Sequence, residues 1–188
     1  MINGVLLAAG RATRYGTDKL LVPLADGVPM AVATLRGLLP VVHRVFAVVR
    51  PGCGRLAGLL MKEGALLTVF PGADRGMGAS LAWGVGVLPE HTEGILVALA
   101  DMPFVLPDSY RQVACALHGG ALVAAPSYHG ERGHPVGFSM RLRTELEALS
   151  GDEGARRLIT RHRQALVRVD VDDPGVLRDI DRPADLQR

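Results

Sequence analysis

The sequence has few cysteines, few aromatic residues and no long apolar run, and each shortage excludes a class of protein. Its two cysteines, Cys53 and Cys115, are too few for a disulfide framework and lack the spacing of a zinc site. No apolar run approaches the roughly 20 residues of a membrane-spanning helix, so we expect no membrane association. The N-terminal apolar run is short and lacks a basic leader, which predicts a first strand rather than a signal peptide. We therefore expect a cytoplasmic protein.

The charge of the chain is nearly balanced. It has 21 Lys and Arg against 19 Asp and Glu, for a net charge of +2. This balance argues against a nucleic-acid-binding protein, although the arginine content brings the isoelectric point to about 8.8. Because 188 residues with 48% apolar side chains can bury one sizeable core, we expect a single domain over residues 1–188.

Apolar runs and helical spacings alternate along the chain. The runs predict strands at residues 4–9, 44–49, 65–70, 94–100, 121–125, 136–139 and 165–171. The helical spacings predict helices at residues 29–39, 55–63, 80–88, 107–117, 140–149 and 153–163. This alternation favours an α/β fold of three layers, α/β/α, around a Rossmann-like, mostly parallel sheet. Residues 127–135, rich in Gly and His, are predicted to form a functional loop.

Two predicted strands end in residues that suit a ligand site. In an open α/β sheet, ligands bind outside the carboxyl ends of the strands. The first strand ends at Gly10, and the fourth ends at Ala100, directly before Asp101. If these strands are neighbours, the glycine turn and Asp101 face one crevice.

The turn after the first strand combines small residues with two cations, Arg14 and Lys19. Small residues let backbone N–H groups approach phosphate oxygens, and the cations offset the charge of a triphosphate. Gly10 and Gly16 are too far apart for a P-loop, and no G-x-G-x-x-G follows the strand. The two commonest nucleotide loops are therefore excluded.

Residues 7–19 resemble the L-A-A-G-x-[SG]-x-R-[MF]-G-x-x-K loop of the sugar-nucleotide and molybdenum-cofactor nucleotidyltransferases. The resemblance implies the nucleotide-diphospho-sugar transferase type of fold. It also implies catalytic roles for Arg14 and Lys19, which would contact the nucleotide as well. The remaining nucleotide-binding residues that it implies in this loop are Leu7, Ala8, Ala9 and Gly10.

Three further segments resemble the nucleotide and metal sites of that family. Asp101 stands in a D-x-P like the Mg²⁺-binding aspartate of these transferases, and a carboxylate at a strand end can share Mg²⁺ with triphosphate oxygens. It is implied to be catalytic. Asp181, in the D-I-D that resembles the family's closing D-I-D-T-P-E-D-L, is the candidate second metal ligand. Gly78 and Ser80 lie in a segment similar to the G-M-[SG]-x-S stretch that contacts the nucleotide in molybdenum cofactor cytidylyltransferases.

Two more segments resemble the family's acceptor side. Residues 132–138 are similar to its G-[HN]-P-V-G-F loop, and residues 151–156 are similar to its G-D-x-G-A-R. The acceptor-binding residues implied are His134, Pro135, Asp152 and Arg156. Taken singly, these segments are equally typical of turns and helix caps, but their common order along the chain favours the family.

The resemblance implies Mg²⁺-dependent transfer of CMP from CTP to molybdopterin, with release of pyrophosphate and delivery of the product to a molybdenum hydroxylase. The choice of CTP depends on Ala9, because guanylyl-transferring relatives carry L-A-G-G. A guanylyltransferase and a sugar- or isoprenoid-precursor cytidylyltransferase stay open. So do a non-catalytic maturation helper and an NAD(P)H-dependent oxidoreductase. Arg14, Lys19 and Asp101 favour an enzyme, since holding a cofactor requires no metal–triphosphate site.

Overall fold

The computed structural model describes residues 1–10 and 19–187 and contains one mixed sheet of eight strands. The strands are β1 (Ile2–Ala8), β2 (Val45–Val49), β3 (Leu66–Val69), β4 (Gly94–Leu99), β5 (Val123–Tyr128), β6 (Glu131–Arg132), β7 (Val136–Ser139) and β8 (Leu166–Asp170). The α-helices are α1 (Met30–Leu38), α2 (Gly54–Lys62), α3 (Met77–Gly86), α4 (Pro107–His118), α5 (Arg143–Glu147) and α6 (Arg156–Arg161). The strand order is β3-β2-β1-β4-β7-β5-β6, and β8 pairs with β5.

Strands β1 and β4 are parallel neighbours at the centre of the sheet, as the strand-end prediction required. Both are almost wholly buried, which is typical of strands covered by helices on two faces. Leu7 lies opposite Leu99, and the Ala100 N–H continues the pairing by donating to the Leu7 carbonyl at 3.1 Å. The chain therefore leaves both strands at the same edge, with Gly10 and Asp101 side by side.

Helices cover both faces of the sheet, so the predicted three-layer arrangement is confirmed. One buried cluster joins the sheet to α1, α2 and α4, for example through Leu35, Leu60 and Val113. The other joins it to α3, α5 and α6, where Leu81 and Leu146 are buried. Alternating side chains of β1 point to opposite clusters, as the pleat of a strand requires.

The second half of the chain differs from the prediction in three places. Residues 127–135 are not one long loop, because β5 extends to Tyr128 and pairs with β6. The helix predicted at 140–149 is a 3₁₀ turn, Met140–Leu142, followed by the short α5, and the Ser139 hydroxyl caps the turn. The helix predicted at 153–163 begins only at Arg156, since Gly151 and Gly154 have φ angles of 72° and 56°, outside the helical range.

Within residues 1–10 and 19–187, no helix combines the length and the apolar character that crossing a bilayer requires.

Candidate functional site

A cavity of about 520 Å³ opens where β1 and β4 end. Leu7, Ala9 and Gly10 line it from the first strand, and Leu99 and Asp101 line it from the fourth. The opposite wall is the turn into α3. It contributes Ala73, Asp74, Gly76, Met77 and Ser80, and Asp152 completes the lining.

Four of the eight predicted nucleotide-binding residues line this cavity, namely Leu7, Ala9, Gly10 and Ser80, whereas Ala8, Lys19 and Gly78 do not. The side chain of Ala8 packs into the core on the far face of the sheet. The Gly78 N–H donates to the Gly151 carbonyl at 2.8 Å and is thus already used within the protein. Gly78 therefore holds two turns together rather than presenting an amide to a ligand. Arg14 lies outside the described residues.

Lys19 brings the two predicted metal ligands together. Its Nζ donates to Asp101 Oδ2 at 2.9 Å and to Asp181 Oδ1 at 3.0 Å. Lys19 lies in a 3₁₀ turn, and the Ile180 N–H donates to the Asp101 carbonyl at 3.0 Å, which fixes the C-terminal segment beside β4. Burial alone lowers the pKa of Lys19, but attraction and hydrogen bonds from Asp101 and Asp181 outweigh it, so the pKa is raised. The ammonium is therefore fully charged at neutral pH.

The same carboxylates fit a magnesium ion whose shell is completed by substrate. Their oxygens converge on one cationic atom, and Mg²⁺ is commonly held by one or two carboxylates together with phosphates and water. Among the described residues, no group of three or more His, Cys, Asp or Glu could hold a metal by itself.

Asp179 is a third carboxylate near this site, and the sequence analysis did not select it as a site residue. Partial burial, together with repulsion from Asp181 and Asp101, raises its pKa above the usual range. The D-I-D motif already indicates this repulsion, because its two aspartates are only two residues apart.

A second cavity, of about 280 Å³, adjoins the first and shares Leu7, Met77, Leu99 and Asp152 with it. Three of the four predicted acceptor-binding residues line it, namely His134, Asp152 and Arg156. Pro135 is buried and is not part of its wall. The geometry therefore offers two adjacent compartments on either side of a shared wall.

The loop that carries His134 is held in place by a 3₁₀ turn at residues 174–177. The His134 N–H donates to the Val176 carbonyl at 2.8 Å. The buried carboxylate of Asp173 anchors this turn by accepting from the Ser109 hydroxyl at 2.6 Å and from the Leu106 and Gly175 amides at 2.9 Å. Sequence reasoning missed Asp173, because its partners are 64 and 67 residues away.

We predict that His134 is neutral throughout the physiological range. Burial, with a smaller contribution from Arg132, lowers its pKa from 6.5 to about 4. A depressed histidine pKa means that the unfolded chain binds the proton first, so stability falls as the pH drops from about 6.5 to about 4. In urea unfolding, the loss of stability between pH 7 and pH 4.5 should be larger in the wild type than in His134→Asn by on the order of 3 kcal/mol. An equal loss in both proteins would contradict this prediction.

A third cavity, of about 550 Å³, lies between α3 and α5 and is walled largely by Phe70, Ala82, Trp83 and Leu149. Its lining includes none of the residues singled out from the sequence. The two compartments at the strand ends, which do contain such residues, are the candidate functional site.

The chain is similar to known proteins over most of its length. The chain matches the family model described as the MobA-like NTP transferase domain over residues 4–166. It is 32% identical over 190 residues to the purine catabolism protein PucB of Bacillus subtilis (strain 168), covering 96% of this chain and 91% of that protein. It is 32% identical over 123 residues to the molybdenum cofactor guanylyltransferase of Rhodobacter capsulatus, covering 61% of this chain and 58% of that one.

Among solved structures, Rv0371c from Mycobacterium tuberculosis H37Rv resembles this chain with a TM-score of 0.87 and 29% identity, covering 100% of this chain and 95% of Rv0371c. A complex of Rv0371c with manganese gives a TM-score of 0.84 at 27% identity, covering 100% of this chain and 96% of that one.

Proposed function

The chain belongs to the MobA-like NTP transferase family, and on that basis we propose that it transfers CMP from CTP to the terminal phosphate of molybdopterin, releasing pyrophosphate. The observation that carries this proposal is the convergence of Lys19, Asp101 and Asp181 beside the strand-end cavity. The two compartments then divide the substrates, with CTP in the larger one and the pterin in the smaller one.

The proposed reaction requires alignment of the two reacting phosphates and neutralisation of their charge, and it requires no proton transfer. The nucleophile is a phosphate monoester with a second pKa of about 6, so it is largely anionic at neutral pH without a general base. His134, which is neutral, is not needed as one. The catalytic task is therefore to bring two anions together at the α-phosphate.

Four side chains perform this task in the proposed mechanism. Asp101 and Asp181 would hold Mg²⁺, which supplies Lewis-acid neutralisation of the phosphate oxygens when it is bound. The manganese complex of Rv0371c supports divalent metal binding in this family. Lys19, whose raised pKa keeps it charged at neutral pH, would bind the triphosphate. Arg14 is proposed to act beside it on the leaving pyrophosphate.

The choice of CTP depends on Ala9, whose buried methyl group lines the larger cavity. The guanylyltransferase of Rhodobacter capsulatus favours GTP as the second candidate nucleotide. A single methyl group in a pocket discriminates by about 10-fold or somewhat more, so either base is compatible with the rest of the site.

We predict that Ala9→Gly shifts the preference toward GTP. Removing the methyl group enlarges the larger cavity where a purine base would lie. The ratio of kcat/KM for GTP to that for CTP should therefore rise by about 10-fold. Steady-state pyrophosphate release with each nucleotide measures this ratio. An unchanged ratio would mean that Ala9 does not contact the base.

The relative named for purine catabolism favours a second candidate function, a helper that holds the molybdenum cofactor for an enzyme of purine breakdown. Pyrophosphate release distinguishes the two. Purified protein with Mg²⁺ and molybdate-loaded molybdopterin should release pyrophosphate with CTP. Release with GTP alone would reassign the nucleotide. Binding of the cofactor without release from any nucleoside triphosphate would favour the helper.

A further inference from the structure

Strand β3 is an edge of the sheet whose outer side has no strand beside it. In the described part of the chain it pairs with β2 alone. The Phe70 N–H donates to the Val49 carbonyl at 2.8 Å, so Phe70 and, by alternation, Thr68 direct their backbone groups toward β2. The N–H and C=O groups of Leu67 and Val69 therefore point away from the sheet, as the free groups of an edge strand do.

This edge lacks the features that keep edge strands from pairing with other chains. Such features are charged residues, proline and bulges. Strand β8, which pairs with β5 alone, has Arg168 and Asp170 among its five residues. Strand β3 reads Leu-Leu-Thr-Val, and Leu66 and Val69 are 43% and 50% exposed. The contrast between the two edges favours a partner strand on β3.

The apolar surface continues from β3 onto helix α3. The Trp83 indole N–H donates to the Thr68 hydroxyl at 2.8 Å, and its ring packs on Phe70 with the ring centroids 5.2 Å apart. Trp83 and Val87 are 40% and 42% exposed. None of the ten residues of α3 is charged, although the outer face of a surface helix is normally polar. A helix without a polar face is typical of one covered on both sides, which indicates a protein interface here.

The edge is complementary to itself when two copies run antiparallel. Residues opposite each other in an antiparallel ladder must share one face of the sheet and one hydrogen-bonding direction. Pairing about a two-fold axis at Thr68 meets both conditions, because it would place Leu67 opposite the partner's Val69. The outward N–H and C=O groups of both residues would then all be used. On the face of α3, the exposed Leu66 would pack against the partner's Phe70.

The charges on either side of β3 suit the same arrangement. Lys62 comes before the strand and Asp74 comes after it, and both side chains are exposed. Antiparallel pairing brings the start of one strand to the end of the other, so Lys62 would lie on the same side as the partner's Asp74. Two-fold symmetry repeats this contact, which makes a second copy of the chain a complementary occupant.

We propose that this protein forms a homodimer in which β3 pairs antiparallel with β3 of a second copy, about a two-fold axis at Thr68. The sheets of the two copies then form one continuous sheet. The turn after β3 contributes Ala73, Asp74 and Gly76 to the larger cavity, so the interface supports one wall of that cavity. The dimer does not depend on the proposed transfer reaction.

Sedimentation equilibrium of the full chain tests the interface. The wild type should have a mass of about 40 kDa, twice the 20.0 kDa of one chain. Val69→Lys would bury one unpaired charge from each copy and should raise the dimer dissociation constant by at least about 100-fold. Val167→Lys, at a 43% exposed valine of β8, is the matched control and should remain a dimer. A monomeric wild type, or equal dissociation constants for the two variants, would overturn the proposal.

Cross-linking tests the position of the axis. Thr68 would face the partner's Thr68 in a non-hydrogen-bonded pair with Cα atoms about 4.5 Å apart, a separation that suits a disulfide. Thr68→Cys is made together with Cys115→Ser, because Cys115 is exposed whereas Cys53 is buried. With oxidised glutathione as the oxidant, it should form a covalent dimer.

Leu66→Cys, also made together with Cys115→Ser, is the control for cross-linking. Leu66 and the partner's Leu66 would lie about 13 Å apart along the paired strands, too far for a disulfide. Thr68→Cys should therefore be linked at least about 10-fold faster than Leu66→Cys. A covalent dimer that forms no faster from Thr68→Cys than from Leu66→Cys would overturn the proposal.

Discussion

Asp101→Asn is expected to slow nucleotidyl transfer by at least about 100-fold, the size of effect seen when a fixed electrostatic contact is removed from a transition state. Asparagine keeps the shape of the side chain and removes the charge that would hold Mg²⁺. It also leaves Lys19 with Asp181 as its remaining ion-pair partner. Pyrophosphate release under saturating CTP, acceptor and Mg²⁺ measures the change.

Asp172→Asn is the matched control, because Asp172 is an exposed aspartate outside both compartments. It should retain wild-type activity. Both variants should unfold near the wild-type Tm, so that lost activity cannot be attributed to lost structure. An Asp101→Asn enzyme with more than about half of the wild-type rate would show that this carboxylate does not hold the metal.

Gly76→Ala is expected to destabilise the protein by at least about 3 kcal/mol, because a new Cβ would overlap backbone atoms that cannot move aside. Gly76 has a φ of 100°, and a Cβ built on it lies 2.4 Å from the Gly151 carbonyl group. This contact joins the turn before α3 to the turn before α6, where the two compartments meet. Urea unfolding at pH 7 gives the loss of stability.

Gly52→Ala is the control that separates the cost of a positive φ from the cost of steric overlap with neighbouring atoms. Gly52 has a similar φ of 81°, but nothing lies within 4 Å of the position that its Cβ would take. It should cost only about 1 kcal/mol, the price of a left-handed conformation for alanine. If Gly76→Ala cost no more than Gly52→Ala, the close approach to Gly151 would not be rigid.

The neighbouring positions of Gly10 and Asp101 could be predicted because they depend on local patterns. Two unbroken apolar runs predict central strands, and parallel central strands end at the same edge of a sheet. The three-layer fold could be predicted for the same reason, since helices and strands alternate along the first half of the chain.

The ion pairs of Lys19 could not be predicted in this way. Its partners lie 82 and 162 residues away, and no local pattern specifies that an ammonium lies between them. Sequence reasoning assigned Lys19 to the triphosphate alone. Strand β6 could not be predicted either, because it has only two residues and pairs with β5 inside a segment that the sequence predicts to be a loop.

The mass of the reaction product tests the central claim most directly. Protein, Mg²⁺, CTP and molybdate-loaded molybdopterin would be incubated together, and the pterin fraction would be analysed by mass spectrometry. We predict a molybdopterin species heavier by one cytidylyl group, that is CMP less one water, formed by the wild type and not by Asp101→Asn. Pterin of unchanged mass, with CTP and with GTP alike, would contradict nucleotidyl transfer at this site.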